Sequence, residues 1–207
     1  PYVFNAVAID PADGEHVFAG GGNFYAPKVL GDLWESTDGG ANWTLTSLRD
    51  VIVNAILIDP GNPDAVYAGC GYSGGTQVPV YKSADGGNTW SASHDGIPAG
   101  IKILMSIWGS DATDIFSVGK CGTVSSAPVY RYNGTAWEKT DSGVNQDLVG
   151  LWGDSGADVF AVGTAGTILH YNGRAWSNMA GNTAENLSGV WGVSASDVFA
   201  VGENGTV

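Results

Sequence analysis

The eight residues Ser36-Thr37-Asp38-Gly39-Gly40-Ala41-Asn42-Trp43 return as Ser83-Ala84-Asp85-Gly86-Gly87-Asn88-Thr89-Trp90. A match of that length is a repeat signal, and a repeat constrains architecture before any single residue does. It extends on both sides. Tyr2 to Pro11 (YVFNAVAIDP) matches Val51 to Pro60 (VIVNAILIDP), and each leads through a short turn to an apolar stretch ending in glycine, His16 to Gly20 and Ala65 to Gly69. Leu33-Trp34-Glu35 and Val80-Tyr81-Lys82 follow, then the shared turn and its closing tryptophan. Short β-branched and aromatic runs bounded by Gly, Asn, Asp and Pro read as strands joined by tight turns. One unit is therefore strand A, turn, strand B, loop, strand C, turn, strand D.

From about Ile101 the unit continues in a second dialect. Ser106-Ile107-Trp108-Gly109, Gly150-Leu151-Trp152-Gly153 and Gly189-Val190-Trp191-Gly192 stand for strand A. Asp114 to Gly119, Asp158 to Gly163 and Asp197 to Gly202 supply strand B, while Val129 to Tyr132 and Ile168 to Tyr171 supply strand C. Asn133-Gly134 and Asn172-Gly173 predict two-residue type I′ turns, which need φ > 0 at both central positions. Trp137 and Trp176 close these units as Trp43 and Trp90 close the first two.

The chain thus holds four complete units and the first half of a fifth, with boundaries near 1–48, 49–97, 98–142, 143–182 and 183–207. Four antiparallel strands every roughly 40–50 residues predict an all-β fold, a β-propeller of four-stranded blades. Residues 1–207 then form a single propeller domain or part of one. Half a blade leaves strand edges unpaired, so the expectation is a piece of a longer chain. The alternative is an incomplete last blade finished by a neighbouring chain, a homo-oligomer or other assembly.

The 32 glycines follow no G-X-Y period, and 43% hydrophobic content argues against disorder. A net charge of −13 argues against nucleic acid or an anionic membrane as partner. No apolar run reaches the roughly 18–20 residues that span a bilayer. Gly20-Gly21-Gly22 does not lead into a helix, as a phosphate-binding loop would. No cofactor is expected.

Ser36, Asp38, Gly40 and Trp43, with Ser83, Asp85, Gly87 and Trp90, match S-x-D-x-G-x-x-W, and the first two units resemble the Asp-box or BNR-repeat propellers of sialidase-like and sortilin-like proteins, xyloglucanases and photosystem II assembly factors. The later units resemble the WG…DVFAVG…YNG repeats of bacterial surface or secreted propellers. The resemblance implies that the motif marks the C–D corner, opposite the usual ligand face. It also implies what a sialidase would need, an arginine triad; the sequence has only Arg49, Arg131 and Arg174, and Arg131 and Arg174 fall at non-equivalent places, strand C of one unit and the C–D turn of another. The motif's own residues read as turn architecture: Ser and Asp side chains bond turn amides, and Gly supplies φ > 0.

The informative departures are the B–C loops, at Gly20 to Gly31, Cys70 to Pro79 and Cys121 to Pro128, against a tight turn at Gly163 to Thr167. Exposed aromatics among Ser, Gly and Asn suit a recognition surface, which makes Asn23, Tyr25, Tyr72 and Gln77 candidate contacts. The D–A connections add Asp50, Asp95, Asp141, Asp147 and Glu185 to the same face, as plain loop charge or as an attraction for a cation. Asp10 to Glu15 looks a little like a calcium loop but lies at an A–B turn. Cys70 and Cys121 occupy equivalent points of adjacent units, as a candidate disulfide or as two free thiols. His16, His94 and His170 sit in different settings and form no metal or catalytic cluster. The expectation is a non-catalytic, secreted, cell-surface or periplasmic module that binds a glycan or protein through the long-loop face. A fragment of a glycoside hydrolase is the alternative enzyme reading, without a catalytic pair that stands out.

Overall fold

The computed structural model of the chain describes residues 2–23, 30–71, 79–98, 103–120, 127 and 129–207. It divides into two compact units, Pro1–Asp95 with Lys102–Leu104, and Gly96–Ile101 with Met105–Val207. The first unit holds two sheets. One is built from β1 (Phe4–Ile9), β2 (Val17–Asn23), β3 (Leu30–Ser36) and β4 (Thr44–Arg49), the other from β5 (Val53–Ile58), β6 (Val66–Cys70), β7 (Val80–Ser83) and the short β8 (Ser91–Ala92). The second unit repeats the pattern in β9 (Leu104–Asp111), β10 (Asp114–Gly119), β11 (Val129–Tyr132) and β12 (Trp137–Thr140). It continues in β13 (Leu148–Ser155), β14 (Asp158–Gly163), β15 (Ile168–Tyr171) and β16 (Trp176–Asn178), and ends in a β17 (Leu187–Ser194) and β18 (Asp197–Gly202) pair.

Each sheet runs in sequence order with antiparallel neighbours, and the same holds in the second unit. Such meanders are β-propeller blades. Among the described residues no helix is long and apolar enough to cross a membrane.

Strand B explains the continuous apolar runs of the sequence. A strand covered on both faces loses the in–out alternation of a half-exposed one. Thus β6 is buried at every residue, and β10 and β14 at every residue after the first. β18 has the same hexapeptide as β14, DVFAVG, yet alternates between exposed and half-buried. Adjacent blades interlock through aromatic rings. In the first unit Phe18 stands edge-on to Trp90 at 6.4 Å and 89°, over Gly87. In the second, Phe116 stands edge-on to Trp176 at 6.0 Å and 84°. The Trp108 indole covers Gly153, and the Trp152 indole covers Gly192.

The expected type I′ turns at Asn133-Gly134 and Asn172-Gly173 are not formed. Only the glycines have positive φ, 93° and 85°. Asn133 Oδ1 instead accepts from the amides of Thr135 and Ala136, both at 3.0 Å, and Asn172 Oδ1 from those of Arg174 and Ala175, both at 3.1 Å. The asparagine side chain replaces the backbone conformation that the dipeptide suggested. Consecutive residues with φ > 0 occur instead at the C–D corners of the first unit, Gly39–Gly40 (67° and 90°) and Gly86–Gly87 (67° and 95°), at the B–C corner of the fourth sheet, Ala165 (54°) and Gly166 (66°), and after β18 at Asn204 (54°) and Gly205 (73°).

Candidate functional site

At one end of each sheet lie the A–B and C–D turns. Ser36 Oγ donates to Asp38 Oδ1 at 2.8 Å and accepts from the Gly40 amide at 2.8 Å. Asp38 also accepts from the Asn42 amide at 2.8 Å and from Asn42 Nδ2 at 2.7 Å. The second copy does the same: Ser83 Oγ to Asp85 at 2.7 Å, the Gly87 amide to Ser83 Oγ at 2.8 Å, and Thr89 to Asp85 through its amide at 2.8 Å and its hydroxyl at 2.6 Å. Trp43 Nε1 and Trp90 Nε1 each donate to a turn carbonyl, of Gly40 and Gly87, at 2.9 Å.

These bonds hold both carboxyls below the usual aspartate range, through Asn42 first at Asp38 and Thr89 first at Asp85. A carboxylate so bonded stays ionised and has no proton to give as a general acid. The amides of Gly39 and Gly86 tie each turn to the A–B turn beside it, at the carbonyls of Glu15 and Asp64. In those A–B turns Asp10 and Asp59 cap the amides of Ala12 and Gly61, and Asp13 caps that of Glu15.

At the other end the B–C and D–A connections meet. The Val51 amide donates to Gly31 and that of Gly71 to Ile52, at 2.9 and 2.8 Å. In the second unit Ala127 donates to Val144 at 2.9 Å, Thr164 to Asp147 at 3.0 Å and Gly166 to Glu185 at 2.8 Å. Asn186 Oδ1 accepts the Ala165 amide at 3.0 Å, and Glu185 accepts from Asn204 at 2.9 Å. In each unit this end of the sheets is therefore tied backbone to backbone. Asp50 and Asp95 are exposed at that end in the first unit, and in the second Asp141 is exposed, with Asp147 and Glu185 half-buried. Asp50 adopts a left-handed φ of 59°, a conformation that Asp tolerates better than most residues.

Of the candidate contacts, Asn23 ends β2 with its backbone paired to Leu30. Tyr25, Tyr72 and Gln77 lie outside the described residues, as does Cys121. Cys70 is fully buried in β6, with Sγ 3.5 Å from the Ala68 carbonyl, and burial pushes its thiol up strongly. Among the described residues no three His, Cys, Asp or Glu side chains are grouped to hold a metal ion.

One constellation is marked by no linear motif. Each of the four complete sheets sets a basic group against its strand-B aromatic ring. His16 lies 4.8 Å from Phe18, Lys82 Nζ 5.1 Å from Tyr67, Arg131 Cζ 5.2 Å from Phe116, and His170 stacks on Phe160 at 4.6 Å. Acids fix three of them: Glu35 to His16 at 2.8 Å, Asp114 to Arg131 at 2.6 Å and Asp158 to His170 at 2.6 Å. Arg131 also donates to the Tyr171 hydroxyl at 3.1 Å. The signal was cross-strand register, since Lys82, Arg131 and His170 stand opposite Tyr67, Phe116 and Phe160. These basic groups are spent on packing, each against its own blade and Arg131 also against Tyr171 of the next.

No family model and no curated protein sequence matches the chain. Solved structures do. An ancestral GH74 enzyme superposes with a TM-score of 0.70 at 16% identity, over 97% of this chain and 29% of that one. The GH74 enzyme of Niastella koreensis gives 0.63 at 21% identity, over 84% and 29%. The GH74 xyloglucanase from Xanthomonas campestris gives 0.61 at 14% identity, over 86% and 38%. The chain thus spans 29% to 38% of the length of these proteins. At such identities the likeness is one of fold, the β-propeller.

Proposed function

We propose that the chain is a non-catalytic propeller module that binds a glycan or protein partner on the face formed by its B–C and D–A connections. The observation that carries this reading is the division of labour between the two ends of the sheets. At the A–B and C–D end the carboxylates are consumed by their own turns, in keeping with Asp-box repeats that serve as corners. At the other end, in each unit, the connections are tied by backbone hydrogen bonds and carry exposed acids, and in the sequence Tyr25 and Tyr72 fall in the connections of variable length between strands B and C. A fixed scaffold with variable aromatic loops is how many recognition surfaces are made. An extracellular or cell-surface setting suits such a module.

The likeness to a GH74 xyloglucanase makes xyloglucan oligosaccharide the first ligand to test. Calorimetric titration of the chain should show binding that Tyr25→Ala with Tyr72→Ala weakens at least about tenfold, without release of reducing sugar. Unchanged affinity in the double variant would remove the loop face from the reading. The alternative is a piece of a carbohydrate-active enzyme, favoured by the partial coverage of the GH74 chains. Hydrolysis of xyloglucan by the chain would establish it.

A further inference from the structure

The third and fourth blades turn their C–D corners with nearly the same residues, Tyr132-Asn133-Gly134-Thr135-Ala136-Trp137 and Tyr171-Asn172-Gly173-Arg174-Ala175-Trp176. The two turns are also alike in geometry. The amides of Asn133 and Asn172 donate to the carbonyls of Ala136 and Ala175, at 3.1 and 3.3 Å, and Gly134 and Gly173 have φ of 93° and 85°. Both asparagines are exposed. They form a matched pair that differs in how each side chain is held.

Asn133 is held at both ends of its side-chain amide. Its Oδ1 accepts from the Thr135 hydroxyl at 2.8 Å besides the two turn amides, and its Nδ2 donates to Glu138 at 3.0 Å. Asn172 Oδ1 keeps the two turn amides alone. Arg174 and Ser177 stand where Thr135 and Glu138 stand in the third blade, and among the described residues Asn172 Nδ2 has no protein partner. In the third Asn-Gly pair, Asn204-Gly205, the Asn204 Nδ2 donates to Glu185 at 2.9 Å. A carboxylate thus ties two of the three side chains and leaves that of Asn172 the least restrained.

We propose that Asn172 is a site of spontaneous covalent modification, deamidation through a cyclic imide, and that the bonds from Thr135 and to Glu138 spare Asn133. Glycine, with no Cβ, leaves its backbone nitrogen open to the preceding side chain. The Gly173 nitrogen gives its proton to solvent base and bonds to Asn172 Cγ. The Cγ–Nδ2 bond breaks and the side-chain nitrogen leaves as ammonia. Water then opens the ring at either carbonyl, leaving aspartate or isoaspartate. One water enters, one ammonia departs, and one negative charge is added to the −13 of the chain. The side chain must leave its turn to reach the nitrogen, so every bond that has to be released first slows the step. Aspartate at this position can still accept the two turn amides, whereas isoaspartate lengthens the backbone within the turn and displaces the acceptor.

Incubation of the folded chain in mildly alkaline, heavy-oxygen water tests this, with peptide mapping by mass spectrometry. The heavy label separates modification of the folded chain from modification during digestion. The expected result is deamidation at Asn172 at least about threefold faster than at Asn133, the difference that modest hydrogen bonds make. In urea both sites should react at closely similar rates, because the dipeptide and the tyrosine before it are the same. Thr135→Val with Glu138→Ala, both at exposed positions, should bring Asn133 up toward the rate of Asn172, which serves as the clock within the same molecule. Equal rates in the folded chain overturn the proposal, and so does a faster Asn133. A gap that persists in urea overturns it by assigning the difference to local sequence, and a gap that the double variant leaves unchanged removes Thr135 and Glu138 from it. The proposal is independent of ligand binding on the loop face, and failure of one leaves the other intact.

Discussion

A Cβ at Gly87 would lie 2.5 Å from Cζ of Phe18, inside the ring's own volume. Gly87 is needed twice: its φ is 95°, and the ring from the adjoining sheet occupies the place of a side chain. Gly40 has the first requirement alone, with φ 90° and only Trp43 Cζ2 nearby at 3.4 Å. Gly40→Ala should therefore cost about 1–2 kcal/mol, the left-handed penalty. Gly87→Ala adds overpacking and should cost about 2–4 kcal/mol. Combined with Phe18→Ala, the Gly87→Ala penalty should shrink by about 1–2 kcal/mol, a coupling between touching sites. Denaturant unfolding of the four variants measures this, and equal costs at Gly40 and Gly87 would refute that ring contact.

Asp38 and Asp85 predict an acid-sensitive fold. Their carboxyls titrate below the ordinary aspartate value, 3.8, because the ionised form accepts the bonds from Asn42 and Thr89. A depressed value means that their contribution is complete above the ordinary range and is lost as pH falls through the folded value. Stability should therefore fall on acidification below about pH 4. Asp38→Asn with Asp85→Asn should be less stable at pH 7 and show a flatter decline between about pH 4 and pH 2. Melting curves across that range that run parallel for parent and variant would show that the turns do not depend on charge.

The blades were legible in the sequence because a covered strand and a sharp corner each impose residue types that survive from unit to unit. DVFAVG announced a strand, and S-x-D-x-G-x-x-W a corner held by its own side chains. The turn class at Asn133 was not legible, because Asn can either adopt a left-handed φ or bond the turn amides from its side chain, and composition does not separate the two. The basic groups on the strand-B rings were hidden for another reason. His16, Lys82, Arg131 and His170 share chemistry across four blades but not residue type, and only His16 precedes its strand. Their equivalence lies in cross-strand register, which a linear motif does not carry. That the B–C and D–A connections share one end of each sheet was legible from the strand order. What that end does was not, because such a role would be set by side-chain positions on loops whose lengths differ from blade to blade.

Arg131 tests whether these groups bind the blades. Its guanidinium bonds Asp114 and Tyr171 while covering Phe116, and the Asp114 bond is the first cause that raises its already high pKa. The side chain is about a third exposed, so Arg131→Ala should cost only about 1–2 kcal/mol. Arg131→Lys should recover part of that, since Lys82 holds the same position over Tyr67, but not the bond to Tyr171, which needs the guanidinium fork. If Lys were fully equivalent in thermal unfolding, the ring contact alone would account for the residue.

Cys70 is the probe of how firmly the second blade is closed. It is buried on both faces of β6, and burial keeps the thiol protonated well above neutral pH. Thiolate is the reactive form, so native protein at pH 8 should leave Cys70 unlabelled, at least about a thousandfold slower than in denaturant, the gap set by local opening. Peptide mapping by mass spectrometry after timed alkylation reads this at Cys70 itself. In denaturant without reductant Cys70 should label fully, as a free thiol does. A Cys70 peptide that labels only after reduction, linked to the peptide of Cys121, would reveal a disulfide instead. Rapid labelling in native buffer would mean that the sheet opens readily, and the tight packing around β6 would then not describe the protein in solution.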